Sequence, residues 1–202
     1  MLNGVFVKTY PPQPFDRREI LRYAGCLSET EEIGAALDEC LRVCENVFSY
    51  RVCYSVWTAE CFYEVFGRDG KTVNAHLDGC DYAVIFAGTV GLGIDRLIAK
   101  YANVAVSKAV LLQAIGAERI ESLCDTFCEE IGAQAKQKGY AAGKRFSAGY
   151  GDFPLTAQKE IFGALDCARK IGLTLTDSLL MSPTKSVTAV LGLKKAEIND
   201  EF

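Results

Sequence analysis

The sequence predicts an α+β fold, in which strands and helices share one domain without a regular βαβ alternation. Three observations favour that class. Hydrophobic residues make up 50% of the 202 residues and charged residues 24%, which is an ordinary globular composition. Segments with helical periodicity and short apolar runs typical of strands follow one another irregularly. The length suits one domain, or one domain with a modest extension, that buries a core of its own.

The first half of the chain is expected to be irregular at its start and then to form one helix and several strands. Residues 1–27 contain three closely spaced prolines and predict no regular element. Ser28 and Glu31 form a capping box, after which apolar residues recur at helical spacing. From residue 50 the pattern changes to strand in YRVCYSVW, CFYEVF and KTVNAHL. The apolar run YAVIFA, residues 82–87, predicts a central strand.

The second half is expected to be mainly helical and to end in strands. After the turn GTVGLG, helices are predicted over about 94–101 and 106–138. The stretch KRFSAGYGDFP, residues 144–154, contains two glycines and a proline and predicts a loop. The helix TAQKEIFGALDCARKIG is expected to end at Gly172. Finally, LTLTDSLLMSPTKSVTAVLGL predicts two short strands about the turn SPTK, and the polar tail KKAEINDEF is expected to fray.

Charge and hydropathy argue against nucleic acid and membrane as partners. The net charge is −4, which offers no general attraction to a phosphate backbone. The longest apolar run, residues 82–90, is too short to span a bilayer. The N-terminus lacks the basic start and apolar stretch of a signal peptide. We therefore expect a cytoplasmic protein.

Nine cysteines are an unusually high number for such a chain. Cys40 and Cys44 form one CxxxC pair, and Cys124 and Cys128 form another, with both sulfurs of a pair on one helix face. Four thiolates from two helices could hold zinc or an iron–sulfur cluster, which would make this a metal or redox protein. Alternatively the cysteines are reduced, buried and apolar in character. The second interpretation is favoured, because neither pair has the spacing of a metal-binding knuckle.

Two further motifs are expected to be structural. GTVGLG, residues 88–93, follows a strand and precedes a helix, as nucleotide phosphate sites do. Its glycines stand at positions 1, 4 and 6, whereas the dinucleotide motif has them at 1, 3 and 6. A tight turn is therefore favoured. His76 is the single histidine, and a structural role is expected for it as well.

The stretch KRFSAGYGDFP combines side chains that suit a small polar ligand. Arg145 can bind a carboxylate through two parallel hydrogen bonds. The glycines allow a ligand to approach the backbone, and Tyr150 and Phe153 offer flat faces to a ring or a cation. The alternative is a structural loop that Arg145 anchors by a salt bridge, with its aromatic rings in the core. Asp125, which lies among apolar positions of the long helix, is expected to pair with a basic residue or a cationic ligand.

RFSAGYGDFP resembles the Arg-x-x-x-Gly-Tyr signature of the activation domain of cobalamin-dependent methionine synthase. The flanking TAQKEIFGALDCARKIG, MSPTKSV and IFAGTVGLGIDRLIAKY are also similar to that family, so that the resemblance covers about residues 82–193. It implies a mixed, largely antiparallel sheet packed with several helices. It further implies an S-adenosylmethionine-binding core over 81–193, an N-terminal helical and β-rich part of the same domain over 1–80, and a polar tail over 194–202.

The resemblance also implies a supporting role in methyl transfer. Arg145 is expected to bind the carboxylate of S-adenosylmethionine, while Ala148, Gly149 and Tyr150 shape the pocket and Asp125 stands where the family has a glutamate. The family has a further tyrosine at the ligand beyond the Ser-Val strand, and here that contact is expected to be missing or replaced.

No catalytic side chain and no metal ligand are expected in this accessory component of a methyltransferase system. The cobalamin would be carried by a separate methionine synthase, or by another corrinoid methyltransferase, and reduced by a flavodoxin-like donor during reductive methylation.

Overall fold

A five-stranded antiparallel sheet forms the centre of the protein in a computed structural model that describes residues 2–68 and 70–196. Its strands follow the spatial order β1-β2-β3-β7-β4, and β5 and β6 form a separate two-stranded hairpin. The strands are β1 (Leu2–Tyr10), β2 (Tyr50–Thr58), β3 (Tyr82–Thr89), β4 (Tyr140–Phe146), β5 (Thr174–Leu175), β6 (Met181–Ser182) and β7 (Ser186–Lys195). The predicted α+β class with a largely antiparallel sheet is therefore confirmed.

Helices cover both faces of the sheet. They are α1 (Arg17–Tyr23), α2 (Glu31–Val43), α3 (Ala59–Phe66), α4 (Lys71–Leu77), α5 (Gly93–Tyr101), α6 (Val106–Gln137), α7 (Gln158–Leu165) and α8 (Cys167–Ile171), with a 3₁₀ turn over Leu155–Ala157. The first face packs against α1, α2, α5 and α6, and the second against α3, α4, α7 and α8. Among the described residues, no helix combines the length and the apolar character that crossing a bilayer requires.

Strand β3 is the central strand because its side chains are buried on both faces. Val84 and Phe86 pack in the α6 layer, whereas Ala83, Ile85 and Ala87 pack in the α7 layer. Successive side chains of a strand point to opposite faces, so a continuous apolar run is what a strand covered on both sides requires. The prediction of a central strand from YAVIFA is confirmed.

The prediction of an irregular N-terminus was wrong. Strand β1 pairs antiparallel with β2, and its residues VFVKTY favour a strand, but the closely spaced prolines that follow them were given more weight in the prediction. Helix α1 begins where the carboxylate of Asp16 accepts a hydrogen bond from the backbone N–H of Glu19 at 3.1 Å. The next helix, α2, is capped by Thr30 rather than by the predicted Ser28.

The segments CFYEVF and KTVNAHL form helices α3 and α4, not the predicted strands. Thr58 caps α3 by accepting a hydrogen bond from the N–H of Cys61 at 3.3 Å. Phe62 and Phe66, one helical turn apart, then pack with their ring centroids 4.6 Å from each other. In α4, Val73 and Leu77 are buried at the same spacing. Aromatic residues favour strands when considered singly, but here their spacing of four fits a helix face.

Helices α5 and α6 lie where the sequence predicts them, whereas the single helix predicted over TAQKEIFGALDCARKIG is divided. Asp166 separates α7 from α8 in a left-handed conformation with φ 52°. The predicted end at Gly172 is confirmed by its φ of 71°. Of the C-terminal stretch, β5 and β6 form a hairpin, and the turn SPTK leads into the longer β7. Lys194 and Lys195 of the predicted tail belong to β7, and residues 197–202 lie outside the described part of the chain.

Candidate functional site

Arg145 lies on the edge strand of the sheet, not on a loop as predicted. Strand β4 ends at Phe146, and only the residues after it form the turn. Arg145 pairs with Leu191 of β7 after a register irregularity that follows Ala142. Directly opposed residues of neighbouring strands share a face. Since Leu191 packs in the α6 layer, the side chain of Arg145 also points to α6.

Two carboxylates of α6 hold the guanidinium of Arg145. One terminal nitrogen donates to Asp125 Oδ1 at 2.5 Å, and the other donates to Glu121. Burial opposes the charge, but the neighbouring carboxylates of Glu121 and Asp125 help to outweigh it, and the pKa of Arg145 is raised. The basic partner expected for Asp125 is therefore present. A guanidinium has five N–H donors, so it can bind a further anion while it keeps these two bonds.

The turn after β4 depends on glycine backbone geometry. Gly149 has a φ of 94°, and its N–H donates to the carbonyl oxygen of Phe153 at 2.8 Å. The carboxylate of Asp152 accepts from the backbone N–H of Thr72 at 3.0 Å, which joins the turn to the start of α4. Consequently the residues between β4 and α7 are held at a fixed position beside the end of the strand.

The two aromatic residues of the turn have different surroundings. Phe153 is buried and packs against Phe62, Phe66 and Phe146 with centroid separations between 5.7 and 6.3 Å. Tyr150 remains 68% exposed. Of the two aromatic rings that the sequence predicts as ligand contacts, the Phe153 ring therefore belongs to the core and the Tyr150 ring is accessible.

A cavity of about 400 Å³ opens at the end of β4, between α6, α7 and the uncovered start of β7. Its size lies within the range usual for small-molecule sites. It is lined by Glu121, Arg145, Phe146, Ser147, Ala148, Tyr150, Gln158, Met181, Ser186, Val187 and Thr188.

The cavity contains three of the five residues that the sequence identifies as ligand-binding. Arg145, Ala148 and Tyr150 line it. Gly149 shapes the turn between two lining residues without lining the cavity itself. Asp125 is also absent from the lining and reaches the cavity only through its bond with Arg145.

Glu121, Gln158 and Thr188 also line the cavity and were not predicted from the sequence. Glu121 could have been found, because it precedes Asp125 by four residues and therefore shares its helix face. Gln158 and Thr188 carry no local signal, since only the tertiary fold brings α7 and β7 to the same cavity.

A second, acidic cavity of about 370 Å³ adjoins the first. Glu121 lines both cavities, so the negative charge of α6 is shared between them. The second cavity is lined by Pro14, Asp16, Glu19, Tyr23, Glu118, Glu121, Ser122, Asp125, Thr126 and Glu129. The surroundings of Arg145 are therefore predominantly anionic.

The CxxxC pairs do not form a metal centre in the described part of the chain. Across residues 2–68 and 70–196, no group of three or more His, Cys, Asp or Glu side chains could hold a metal ion. Burial, together with Cys40, raises the pKa of Cys44 to about 12, and burial also raises the pKa of Cys124 and Cys128. These thiols are therefore protonated at neutral pH, whereas metals bind the thiolate.

GTVGLG and His76 are part of the framework. A Cβ on Gly93 would collide with the carbonyl oxygen of Val47, so the helix can begin here only with glycine. His76 lies on α4 rather than on the expected strand. Its Nδ1 is 3.1 Å from the carbonyl oxygen of Thr72, and its ring stacks on Phe146 with centroids 4.3 Å apart.

Comparisons with known proteins identify the fold and the family of the chain. A crystal structure of the MetH reactivation domain bound to AdoHcy is similar to the chain with a TM-score of 0.62 and 14% identity, covering 94% of this chain and 78% of that chain. At this identity the likeness concerns the fold. No curated protein sequence matches. The family model described as "Vitamin B12 dependent methionine synthase, activation domain" matches residues 72–197, which include the whole lining of the first cavity. The chain belongs to the family of vitamin B12-dependent methionine synthase activation domains.

Proposed function

We propose that the chain binds S-adenosylmethionine in the cavity at the end of β4 and supports the reductive methylation of cobalamin. The observation that carries this proposal is the meeting of Arg145, Ala148 and Tyr150, from the signature stretch, with Glu121 of α6 around one cavity. Membership of the activation-domain family supports it. So does the similarity in fold to a reactivation domain that binds AdoHcy.

The charges around the cavity suit this ligand. S-adenosylmethionine has a carboxylate, an ammonium and a sulfonium, and therefore a net charge of +1. Arg145 offers a cation to the carboxylate, while Glu121 and Asp125 supply two negative charges close to it. The local charge of −1 favours a ligand of the opposite sign. We infer that Arg145 binds the carboxylate and that Glu121 lies close to the ammonium or the sulfonium.

The remaining predicted residues would form the wall of the site or hold Arg145 in position. The exposed ring of Tyr150 offers a face to the sulfonium or to the adenine. Ala148 is buried in the wall, and Gly149 allows the turn that places both neighbours. Asp125 would keep the guanidinium in position through its bond with Arg145. We also propose that residues 81–193 form the binding core, as the resemblance implies, which the position of the cavity lining within residues 121–188 supports.

The chemistry proposed for the chain is that of an accessory protein. It would bind and orient the methyl donor, while the cobalamin of a partner protein, reduced by a flavodoxin-like donor, would supply the reactive metal. We propose a separate cobalamin-dependent methionine synthase as that partner and the cytoplasm as the place of action. Another corrinoid methyltransferase would present the same cofactor.

Calorimetry with S-adenosylmethionine tests the binding step. We expect the wild-type protein to bind and Arg145→Ala to lower the affinity at least tenfold, because a charge-assisted hydrogen bond contributes about 1.5–3 kcal/mol. Lys144→Ala is the matched control, since it removes a cation from the preceding, exposed residue that does not line the cavity. Absence of binding by the wild-type protein would contradict the proposal. Equal affinity of Arg145→Ala and wild type would contradict only the role of Arg145.

A reactivation assay tests the partner. An oxidised, inactive methionine synthase without its own activation domain is mixed with the chain, S-adenosylmethionine and reduced flavodoxin. We expect methyltransferase activity to return with the wild-type chain and much less with Arg145→Ala. Recovery of only a different corrinoid methyltransferase in a parallel assay would identify that enzyme class as the partner instead.

A further inference from the structure

Two buried polar side chains at the cavity each have an oxygen without a hydrogen-bond partner in the described part of the chain. Gln158 is 4% exposed and Thr188 is 2% exposed. Neither Gln158 Oε1 nor Thr188 Oγ1 forms a hydrogen bond with any residue among 2–68 and 70–196. Both residues line the cavity that also contains Arg145. Because an unpaired buried polar atom destabilises a protein, such atoms at a cavity wall indicate a ligand that completes their hydrogen bonds.

These two residues lie on the opposite side of the sheet from Arg145. Thr188 is two residues before Val190, which packs in the α7 layer, so its side chain points to the same layer. Gln158 is the first residue of α7 itself. Arg145, in contrast, points to α6 and its carboxylates. The cavity therefore has a charged side next to α6 and an uncharged polar side next to α7.

The end of β4 joins the two sides. Its pairing with β7 ends at Phe146 and Val190, whereas β7 continues to Ser186. The β7 segment from Ser186 to Thr188 lines the cavity beyond that point. A ligand there can pass around the edge of the sheet and contact both layers at once.

We propose that Gln158 and Thr188 bind the adenosine half of the ligand, while Arg145 binds its amino-acid half. This inference rests on the proposed binding of S-adenosylmethionine. A side-chain amide both donates and accepts, and it can form two hydrogen bonds with the edge of an adenine ring. The hydroxyl of Thr188 can likewise donate to a ring nitrogen or a ribose oxygen, or accept from an amino or hydroxyl group. Uncharged partners suit the neutral nucleoside, and the charged side suits the zwitterionic amino acid.

Two probes separate the two halves of the ligand in calorimetry. S-adenosylhomocysteine contains both halves, and 5′-methylthioadenosine contains the nucleoside without the amino acid. We expect Gln158→Leu and Thr188→Val each to weaken the binding of both probes about tenfold, as loss of one hydrogen bond in a buried site predicts. Arg145→Ala should weaken only the binding of S-adenosylhomocysteine. Gln113→Leu, at an exposed position of α6, is the matched control and should change neither affinity.

Thermal unfolding of the free variants separates a binding role from a structural one. Replacing an unpaired buried amide by an apolar side chain of similar size removes a cost, so the Tm of Gln158→Leu should equal or exceed that of the wild type. A marked fall in Tm would indicate that Gln158 supports the fold. Thr188→Val nearly preserves the side-chain shape and keeps the binding test valid in that case.

The possible outcomes distinguish this inference from the proposal on which it rests. If the wild-type protein does not bind S-adenosylhomocysteine, both are wrong. If it binds, and Gln158→Leu and Thr188→Val bind it with unchanged affinity, the adenosine site is wrong and the proposed function stands. If these variants lose affinity for S-adenosylhomocysteine but not for 5′-methylthioadenosine, the residues contact the amino-acid half and the assignment of the two halves is overturned.

Discussion

Arg119 shows how a single residue can connect distant parts of the chain. Its side chain is fully buried, and it pairs with the carboxylate of Glu118. It also donates to the carbonyl oxygens of Gln13 at 2.6 Å and Pro14 at 2.8 Å. Its guanidinium carbon lies 4.5 Å from the ring centroid of Phe15. The proline-rich segment that the sequence suggested to be irregular is thus attached to the middle of α6.

We expect Arg119→Met to lower the free energy of unfolding by about 3–5 kcal/mol, because it leaves the buried carboxylate of Glu118 without its partner. Urea unfolding at pH 7 measures the change. The control is Arg22→Met, which breaks the exposed pair with Glu19 and should change the free energy of unfolding far less. Equal losses in the two variants would contradict the importance assigned to the buried pair.

At the scale of single elements, the turn between β4 and α7 depends on its glycines. Gly151 has a φ of 55°, and a Cβ at this position would lie 2.8 Å from Thr72 Oγ1. Gly163, within α7, is exposed, and a Cβ at this position would have no neighbouring atom within 4 Å. The same substitution should therefore have opposite effects at the two sites.

We expect Gly151→Ala to destabilise the protein by about 1–2 kcal/mol through backbone strain and the clash with Thr72. Gly163→Ala should stabilise it by about 0.5–1 kcal/mol, because alanine has the higher helix propensity. Urea unfolding of both variants provides the comparison. A stabilised Gly151→Ala protein would show that the turn is not held in the conformation described.

A second contact at this scale joins β1 to α6. The hydroxyl of Tyr10 donates to Glu130 Oε2 at 2.6 Å, and the ammonium of Lys8 donates to the other carboxylate oxygen. Both hydrogen bonds lower the pKa of Glu130, and the one from Lys8 has the larger effect. A pKa that is lower in the folded state than in the unfolded state makes the ionised carboxylate stabilising.

The pH dependence of stability follows from this direction. The contribution of Glu130 is fully present above its unfolded pKa of about 4.3 and is lost as the pH falls through the lower folded pKa. Glu130→Gln should therefore lower the free energy of unfolding by up to about 1 kcal/mol at pH 7 and by less at pH 3. The effect is small because the Glu130 side chain is 39% exposed. Urea unfolding at both pH values measures this. Glu129→Gln, at the adjacent exposed position, should not show the difference.

Elements with a strong single pattern could be predicted from the sequence, and elements defined by tertiary contacts could not. The predictions of β3 from its apolar run and of α6 from its long helical periodicity were correct, because burial on defined faces determines which residues these elements contain. Strand β1 was missed because the prolines that follow it were given more weight than the strand-favouring residues VFVKTY. Helices α3 and α4 were taken for strands because their aromatic and β-branched residues outweighed a helical spacing that extends over only two turns.

For the whole molecule, the site arises where the two helix layers meet at an edge of the sheet. The sequence pointed to Arg145, Ala148 and Tyr150 because they lie in one recognisable stretch. It could not point to Gln158 or Thr188, which line the cavity from two other elements, α7 and β7. Sequence patterns thus identify the contiguous wall of the site, and tertiary structure adds the opposite wall.

The same whole-molecule arrangement places three of the four CxxxC cysteines in the apolar core. Cys40, Cys44 and Cys124 are buried in the α6 layer, and burial raises their thiol pKa. We therefore expect protein purified without oxygen to be colourless and to contain less than about 0.1 metal ion per chain. Its Tm should not change when a chelator is added. A stoichiometric metal in elemental analysis would restore the interpretation as a metal or redox protein.

The most direct measurement of the central claim is a crystal structure of the chain with S-adenosylhomocysteine. We expect the ligand in the cavity at the end of β4, with its carboxylate hydrogen-bonded to Arg145 and its adenosine half next to Gln158 and Thr188. A ligand bound outside this cavity, or one whose carboxylate lies away from Arg145, would contradict the account.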